Sequence, residues 1–400
     1  MFKHHTALGV ALTLRPTQPV TLVRPHAARR AARFFIETFP GTSMYAVKAN
    51  PSPDLIRTLW DAGLTHYDVA SIAEVRLVRD VAPHAVLCFM HPIKAPEAIA
   101  EAYHQHGVRV FSLDSIDELD KIVAATTTDG VPATDLTLCV RLRVSSAHSK
   151  LSLASKFGVP VDEAAPVLMA ARQVADALGI CFHVGSQAMS PQAYGDAMTQ
   201  VRAAIVAAGV TVDIVDVGGG FPSVYPGMEP VPLEAYFEVI HRGFEALPIS
   251  YSAELWCEPG RALCAEYSSV LVRVEARKDD VLYINDGAYG ALFDAAHVDW
   301  RFPVELVREN GSRARDIDFS FWGPTCDDMD FMRGPFALPA DIKAGDYIEI
   351  GMLGAYGQAM RTGFNGFTAG ETVIMSDEPM ATLYAVTEES SDKVIKLRTN

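Results

Sequence analysis

The sequence predicts an α/β protein made of a (β/α)8 TIM-like barrel and a C-terminal, mostly-β domain. Between residues 42 and 258, eight short apolar runs alternate with longer amphipathic segments, which is typical of parallel strands joined by helices. Eight such units favour a closed barrel of about 250 residues over the competing open, doubly wound sheet. After residue 266 the amphipathic segments stop, and strand-like runs alternate with Gly and Pro. We therefore expect a barrel over residues 22–267 and a β domain over residues 268–400. Residues 1–21 are expected to be part of the β domain.

Each element is predicted from its own stretch of sequence. The barrel strands are the apolar runs 43–47, 66–69, 85–89, 108–111, 136–143, 180–184, 213–217 and 252–257. Several helices begin with Pro or with a Ser or Asp cap. The predicted helices are 27–39, 53–62, 72–80, 96–106, 115–124, 161–178, 191–208 and 233–245. Strands of the β domain are expected at 270–275, 281–285, 316–322, 347–351 and 393–397, with one more from the opening stretch 11–20.

Composition limits the partners and the compartment. The 400 residues are 49% hydrophobic and 21% charged, as in ordinary globular proteins. Acidic residues outnumber basic ones by 49 to 34, so the net charge is −15, and neither nucleic acid nor a membrane surface is an expected partner. No 18-residue apolar run predicts a transmembrane helix, and the stretch 7–14 is too short for a signal peptide. The six cysteines form no CxxC pair, so we expect reduced thiols, with Cys88, Cys139 and Cys181 in the core, and a cytoplasmic protein.

Polar and glycine-rich clusters follow the predicted barrel strands. The active residues of a barrel lie at the C-terminal ends of its strands, and every unusual cluster of this chain falls there. In chain order the candidates are Lys48, Asp68, Arg141, His183, Ser186, Gly218, Gly219, Gly220, Glu258 and Arg261. This convergence is stronger evidence for an active site than any one motif.

Together these residue types describe a site for pyridoxal phosphate. A single lysine is usually solvated, but a buried lysine behind an apolar strand is suited to Schiff-base chemistry. Three glycines could form only a flexible turn, yet after strand seven their N–H groups can surround a phosphate beside Ser186 and Arg261. His183 offers a flat platform for the ring, and Glu258 offers a buried partner for a pyridinium nitrogen. The remaining histidines lack converging ligands, so no metal is expected.

Nine segments, in this order, carry a resemblance to a known family. They are YAVKAN (45–50), YDVAS (67–71), SKFG (155–158), HVGS (183–186), GGGFP (218–222), EPGR (258–261), GPTCD (323–327), GAY (354–356) and FNGF (364–367). With them the chain resembles the alanine-racemase-type (fold III) pyridoxal phosphate-dependent decarboxylases, whose familiar members are the ornithine decarboxylases. The resembling segments cover most of the chain.

The resemblance implies a barrel plus β domain, a homodimer with two shared active sites, and a role for each matching residue. Lys48 would carry the cofactor, His183 would stack on its ring, and Glu258 would pair with the ring nitrogen. The residues that would hold the phosphate are Ser186, Gly219, Gly220, Arg261 and Tyr356. Those that would support the lysine and the ring are Asp68, Glu74 and Arg141. Cys326 and Asp327 match a pair that enters the active site from the partner subunit.

The resemblance also implies a basic L-amino acid as substrate. Residues 326–330, Cys-Asp-Asp-Met-Asp, resemble the Cys-Asp-x-x-Asp pattern of basic amino acid decarboxylases, whereas diaminopimelate decarboxylases carry Glu after the cysteine. Segment 290–297 takes the place of a substrate-specificity helix but matches ornithine decarboxylases poorly. Within it, Asp294 is expected to supply a second carboxylate to the distal amine. Gln187 replaces a glycine that is common in the family.

The implied reaction converts ornithine to putrescine, with lysine to cadaverine as a second activity, in polyamine biosynthesis. Cys326 would protonate Cα as a general acid, and Asp327 would pair with the distal ammonium. Dual activity is reasonable because one methylene is worth only about 1–3 kcal/mol of discrimination. The alternatives are a diaminopimelate decarboxylase, an amino acid racemase with a second base opposite Lys48, and a non-catalytic regulatory homologue. A regulatory homologue would be expected to lose cofactor residues, whereas Lys48, Glu258 and Cys326 are present.

Overall fold

The computed structural model describes residues 3–152, 155–368 and 370–385, and its barrel is closed. The eight barrel strands are Thr42–Ala46, His66–Val69, Val86–Phe89, Val110–Leu113, Thr137–Arg141, Ala177–Cys181, Ile214–Asp216 and Glu254–Cys257. Each pairs in parallel with the next, and the last closes onto the first, with Cys257 opposite Ser43. Closure excludes the open doubly wound sheet.

Helices alternate with these strands. The α-helices of the described chain are Ala7–Leu14, Pro25–Thr38, Pro53–Asp61, Ile72–Val81, Pro96–His104, Ile116–Thr126, Ala164–Val174, Gln192–Ala208, Leu233–Glu245, Arg261–Cys264 and Phe293–His297. Ser71 and Ser115 cap two of them, because each hydroxyl accepts a hydrogen bond from a backbone N–H three residues later. The helix predicted over 161–178 is wrong at its end: it stops at Val174, and the next strand already begins at Ala177. The Leu178 N–H donates to the Asp213 carboxylate at 2.8 Å, which holds this residue in the strand.

The interior of the barrel is apolar and contains thiols. Cys88, Cys139 and Cys181 pack with the other members of one buried layer, which are Met44, Met90, Val110, Ile214 and Trp256. All six cysteines of the chain lie among the described residues, and all are free thiols. Burial raises the pKa of these three thiols well above the usual value, so they remain neutral. The three cysteines are core residues, as expected.

The chain divides into two compact units. One is Ala32–Pro222 with Pro230–Ala262 and contains the barrel; the other takes in the described residues of Met1–Ala31, Ser223–Glu229 and Leu263–Asn400. The boundaries expected near residues 22 and 267 stay a prediction. In the second unit, the strands are Lys3–His4, Val20–Val23, Ser268–Lys278, Val281–Ile284, Val304–Val307, Asp316–Trp322, Phe331–Pro339, Tyr347–Ile350 and Thr372–Met375. The long central strand Ser268–Lys278 pairs antiparallel with three of them.

Several β-domain predictions need correction. The strand expected over 11–20 is wrong, because Thr6 caps a helix Ala7–Leu14 by accepting from the Gly9 N–H, and the helix ends at Arg15 with a φ of 46°. A strand does join the sheet from this region, but it is Val20–Val23. The strand Phe331–Pro339 was not predicted, because Gly334 and Pro335 interrupt the alternation of apolar and polar residues in its sequence. The strand expected at 393–397 lies outside the described residues.

None of the described helices is both long and apolar enough to cross a membrane.

Candidate active site

Lys48 lies just after the first barrel strand, in the short 3-10 turn Val47–Ala49. Its Nζ donates to Asp68 Oδ2 at 2.9 Å, and the strand register that pairs Ala46 with Asp68 brings the two together. The Lys48 side chain is 38% exposed and Asp68 only 2%, so the lysine is less buried than expected. The second acid, Glu74, accepts from the Ala70 N–H at 2.7 Å, and burial, then the Asp68 charge, raises its pKa. The lysine amine is thus oriented by a buried carboxylate.

His183 follows the sixth strand and has a defined proton position. Its Nδ1 lies 3.0 Å from the Gly185 N–H, which donates to it, so the neutral ring carries its proton on Nε2. Burial lowers the pKa of His183 well below its usual value, and the Arg141 and Lys48 charges lower it further. The ring is therefore neutral at physiological pH, which suits a stacking platform.

The three glycines after the seventh strand form a cradle that side chains would fill. A Cβ at Gly219 would lie 2.8 Å from the Glu258 carbonyl oxygen and 3.0 Å from His183 Nε2. Gly220 has a φ of 106°, and its Cβ would lie 2.5 Å from the Gly185 carbonyl oxygen. These positions require glycine, and they bring bare backbone to the mouth of the barrel, as phosphate binding does.

A cation and a hydroxyl lie on the same side of the barrel as this cradle. Arg261 is 5% exposed, and its Nη2 donates to Ser186 Oγ at 3.5 Å. Ser186 is placed by the two-stranded ladder of Ser186–Ala188 with Ser149–Leu151. This donor set fits the phosphate of pyridoxal phosphate, because it combines a guanidinium, a hydroxyl and exposed backbone.

Glu258 follows the eighth strand and is 4% exposed. Its N–H donates to the Gly218 carbonyl at 2.8 Å, which fixes it beside the glycine cradle. Burial, and then the Asp216 and Asp68 charges, raise the pKa of Glu258 well above its usual value. A buried acid of this kind fits a pyridine nitrogen, because a protonated ring would compensate its charge.

Two further barrel residues are placed by the structure. The Arg141 guanidinium carbon lies 5.9 Å from the centre of the Phe157 ring, a cation–π distance. Gln187 is fully buried and has a φ of 56°. Glycine adopts this left-handed conformation without steric cost, which fits the glycine that the resemblance implies at this position.

Cys326 and Asp327 lie on a loop of the second unit that buried contacts hold in place. Asp330, which is 0% exposed, accepts from the Ala288 N–H at 2.7 Å, the Thr325 N–H at 3.0 Å and the Thr325 hydroxyl at 2.7 Å. Cys326 itself is exposed, and its N–H donates to Asn365 Oδ1 at 3.2 Å.

The Asp327 carboxylate is held by two hydrogen bonds. The Tyr289 hydroxyl donates to its Oδ2, and the Met329 N–H donates to its Oδ1 at 2.9 Å. These bonds, with the nearby His297 charge, lower the pKa of Asp327. His297 ends the helix Phe293–His297, so the segment expected to set specificity approaches Asp327.

Asp294 and Tyr356 also lie in the second unit, and their substrate and phosphate roles stay predictions. Asp294 is half-buried in the same short helix. Tyr356 is half-buried with a φ of 60°.

Sequence reasoning missed three residues of these surroundings. Asp216 ends the seventh strand beside Glu258, and Tyr289 holds Asp327. Lys94, which is 5% exposed, pairs with Glu118 at 2.8 Å after the third strand. The one sequence signal for Asp216 and Lys94 is that each lies near the end of a predicted barrel strand, where active residues are expected.

The described residues include no group of three or more His, Cys, Asp or Glu that could hold a metal ion.

Comparison with known proteins decides the family. The model of the pyridoxal-dependent decarboxylases, pyridoxal binding domain, matches residues 25–265. The chain belongs to this family. Pyridoxal phosphate is its cofactor, the residues described above fit that group, and the protein is an amino acid decarboxylase.

The relatives and solved structures that the chain resembles include decarboxylases and an antizyme inhibitor. The chain is 32% identical over 344 residues to the lysine/ornithine decarboxylase of Selenomonas ruminantium, covering 84% of each. It is 30% identical to antizyme inhibitor 2 of Xenopus laevis, covering 83% of this chain and 75% of that protein. A crystal structure of the lysine/ornithine decarboxylase of Vibrio vulnificus with cadaverine superposes with a TM-score of 0.78 at 28% identity, covering 94% of this chain and 100% of that one. Decarboxylation of a basic amino acid is the activity that these comparisons support.

Proposed function

We propose that this pyridoxal-dependent decarboxylase converts L-ornithine to putrescine, with L-lysine as a second substrate, and that it acts in cytoplasmic polyamine biosynthesis. One observation carries the substrate class: a carboxylate, Asp327, is held in a fixed position beside an exposed thiol, Cys326. A fixed carboxylate suits the distal ammonium of a basic amino acid. The relatives named as lysine/ornithine decarboxylases support both chain lengths.

Each residue has a defined task in this proposal. When bound, pyridoxal phosphate supplies a ring that accepts the electron pair left by the departing carbon dioxide. Lys48 would hold the cofactor until the substrate amine displaces it, and Asp68 would orient the Lys48 amine. Glu258 would pair with the ring nitrogen, and Cys326 would donate a proton to Cα as the general acid. Asp327 anchors the far end of the substrate.

We also propose a homodimer in which Cys326 and Asp327 of one subunit complete the site of the other. The loop that carries them exposes Met329, at 59%, and a separate turn of the same unit exposes Phe367, at 39%. A groove of about 680 Å³ lies beside it in the same unit, lined by Trp322, Thr325, Cys326, Asp327 and Phe367 among others. Exposed apolar side chains around a groove favour a protein interface, and a second copy of the chain is the occupant that the family resemblance implies.

Subunit mixing tests this dimer. Lys48→Ala and Cys326→Ala should each be nearly inactive alone. After subunit exchange, about half of the dimers are heterodimers with one restored site each, so activity should recover to about a quarter of wild type. A mixture that stays inactive although mass spectrometry shows exchange would rule out the shared site.

A regulatory role is the second candidate, and the similarity to antizyme inhibitor 2 favours it. The presence of Lys48, Glu258 and Cys326 supports catalysis instead. Measuring carbon dioxide and product across ornithine, lysine, arginine and diaminopimelate separates these functions. Putrescine from ornithine supports the proposal, product from diaminopimelate alone points to that decarboxylase, and no product from any of them supports regulation. Racemised substrate without carbon dioxide would indicate the racemase alternative.

A further inference from the structure

Asp216 and Glu258 lie at the ends of neighbouring barrel strands. In the parallel register, Asp216 of the seventh strand pairs with Trp256 of the eighth. Glu258 follows Trp256 by two residues, just past the end of that strand, and its N–H donates to the carbonyl of Gly218, two residues after Asp216. Asp216 is 0% exposed and Glu258 is 4% exposed. Two acidic side chains therefore meet in a site without access to bulk water.

The hydrogen bonds of Asp216 require a proton between the two acids. Oδ1 accepts from the Gly218 N–H at 2.9 Å. Oδ2 is buried and receives no bond from any N–H or hydroxyl group of the described chain. The Asp216 and Glu258 side chains share a hydrogen bond. Two carboxylates have no donor between them, so one of the two groups carries a proton.

The surrounding charges also fit a single proton. The charged groups that act on the pair are Asp68, Lys48 and Arg141. The buried thiols that face it are Cys88, Cys139, Cys181 and Cys257, and burial keeps them neutral by raising the pKa of each. With one proton the pair carries one negative charge, and Asp68 and Glu74 are further acids beside the two cations. Without that proton, a second negative charge would be buried in the pair, which is costly.

We propose that Asp216 is a positioning residue for Glu258: the two carboxyl groups share one proton, and Asp216 keeps it on Glu258 until the cofactor binds. This rests on the role of Glu258 proposed above, as the partner of the pyridine nitrogen. Glu258 then gives up the proton: its O–H bond breaks, an N–H bond forms at the ring nitrogen, and no electrons are exchanged. Burial raises the pKa of both groups, but the Gly218 N–H that donates to Asp216 Oδ1 favours the ionised form of Asp216. The proton therefore resides on Glu258, and Asp216 is the acceptor.

Infrared spectroscopy of the full-length apoenzyme tests the shared proton. At pH 7 the wild type should show the C=O band of a protonated carboxyl group, which shifts in D2O. Glu258→Gln should lack this band. Asp216→Asn should lack it as well, because the Asn amide can donate to an ionised Glu258 and no shared proton is needed. Asp196→Asn, at an exposed acid on the helix Gln192–Ala208, is the matched control and should keep the band.

Two results would overturn the proposal: no such band in the wild type, or a band that persists in Asp216→Asn. Persistence would mean that burial alone protonates Glu258. If Asp216→Asn does not fold, a pH titration of the wild-type band tests the proposal instead, because two coupled carboxyl groups titrate in two steps. A single step would overturn the proposal.

Adding pyridoxal phosphate separates this proposal from the role of Glu258. The wild-type band should disappear when the cofactor binds. If it persists although the apoenzyme spectra are as expected, Glu258 is not the partner of the ring nitrogen, while the shared proton stands.

Discussion

Replacing Asp327 by Ala should lower kcat/KM for ornithine much more than kcat/KM for an uncharged analogue. The magnitude follows from how the carboxylate is held. The Tyr289 hydroxyl and the Met329 N–H fix both of its oxygens, and these bonds lower its pKa, so it is ionised and already ordered in any assay near neutral pH. A hydrogen bond to a charged group contributes about 1.5–3 kcal/mol. At about 1.4 kcal/mol per factor of ten, the loss for ornithine is about 10- to 150-fold.

The assay compares ornithine with norvaline, which has the same carbon chain but lacks the distal ammonium. Norvaline has no charge to lose, so its kcat/KM should change far less in Asp327→Ala. Asp328→Ala is the matched control, because it removes the same charge from an exposed neighbour in the same loop. Equal losses for ornithine and norvaline would refute the reasoning and assign Asp327 to folding or assembly. An equal loss in Asp328→Ala would refute it too, since the effect would then be one of net charge.

Three further predictions concern the barrel. Lys48→Ala should abolish turnover and the visible absorbance of the lysine-bound cofactor while circular dichroism stays unchanged; normal colour with retained turnover would remove Lys48 from the mechanism. Glu258→Gln should lower kcat more than cofactor affinity, because the ring nitrogen loses its anionic partner, and an unchanged kcat would make the carboxylate structural. Burial lowers the pKa of Lys94 from 10.5 to about 8. Between pH 8 and about 10.5 the unfolded chain therefore binds more protons than the folded one. The free energy of unfolding should rise with pH over this range, by at most about 3 kcal/mol. Denaturant unfolding at pH 8 and pH 10.5 should show this rise in wild type relative to Lys94→Met, and parallel curves would contradict it.

Local sequence determined the barrel and most of the candidate site residues at its strand ends. Strands near 42–46, 66–69 and 214–216 were predicted within one or two residues, because a short apolar run between caps and glycines has few other ways to fold. The rule that strand ends carry the chemistry then selected Lys48 and Glu258. The motif order supplied Cys326 and Asp327, which composition alone could not have singled out.

Tertiary structure decided what depends on contacts between distant segments. The N-terminal apolar stretch became the helix Ala7–Leu14 through its Thr6 cap, while the strand Val20–Val23 is stabilised by Ser268–Leu271, some 250 residues away. Such pairing energy is non-local, so no window of sequence contains it.

The same limit applies to the site. Only the pairing of strands seven and eight brings the segments of Asp216 and Glu258 together, and only the fold brings the Tyr289 hydroxyl to Asp327. The sequence by itself determined which chemical groups the barrel presents. The tertiary structure decided their protonation and orientation, because burial and the nearest charges set these properties and both arise from residues far apart in the chain.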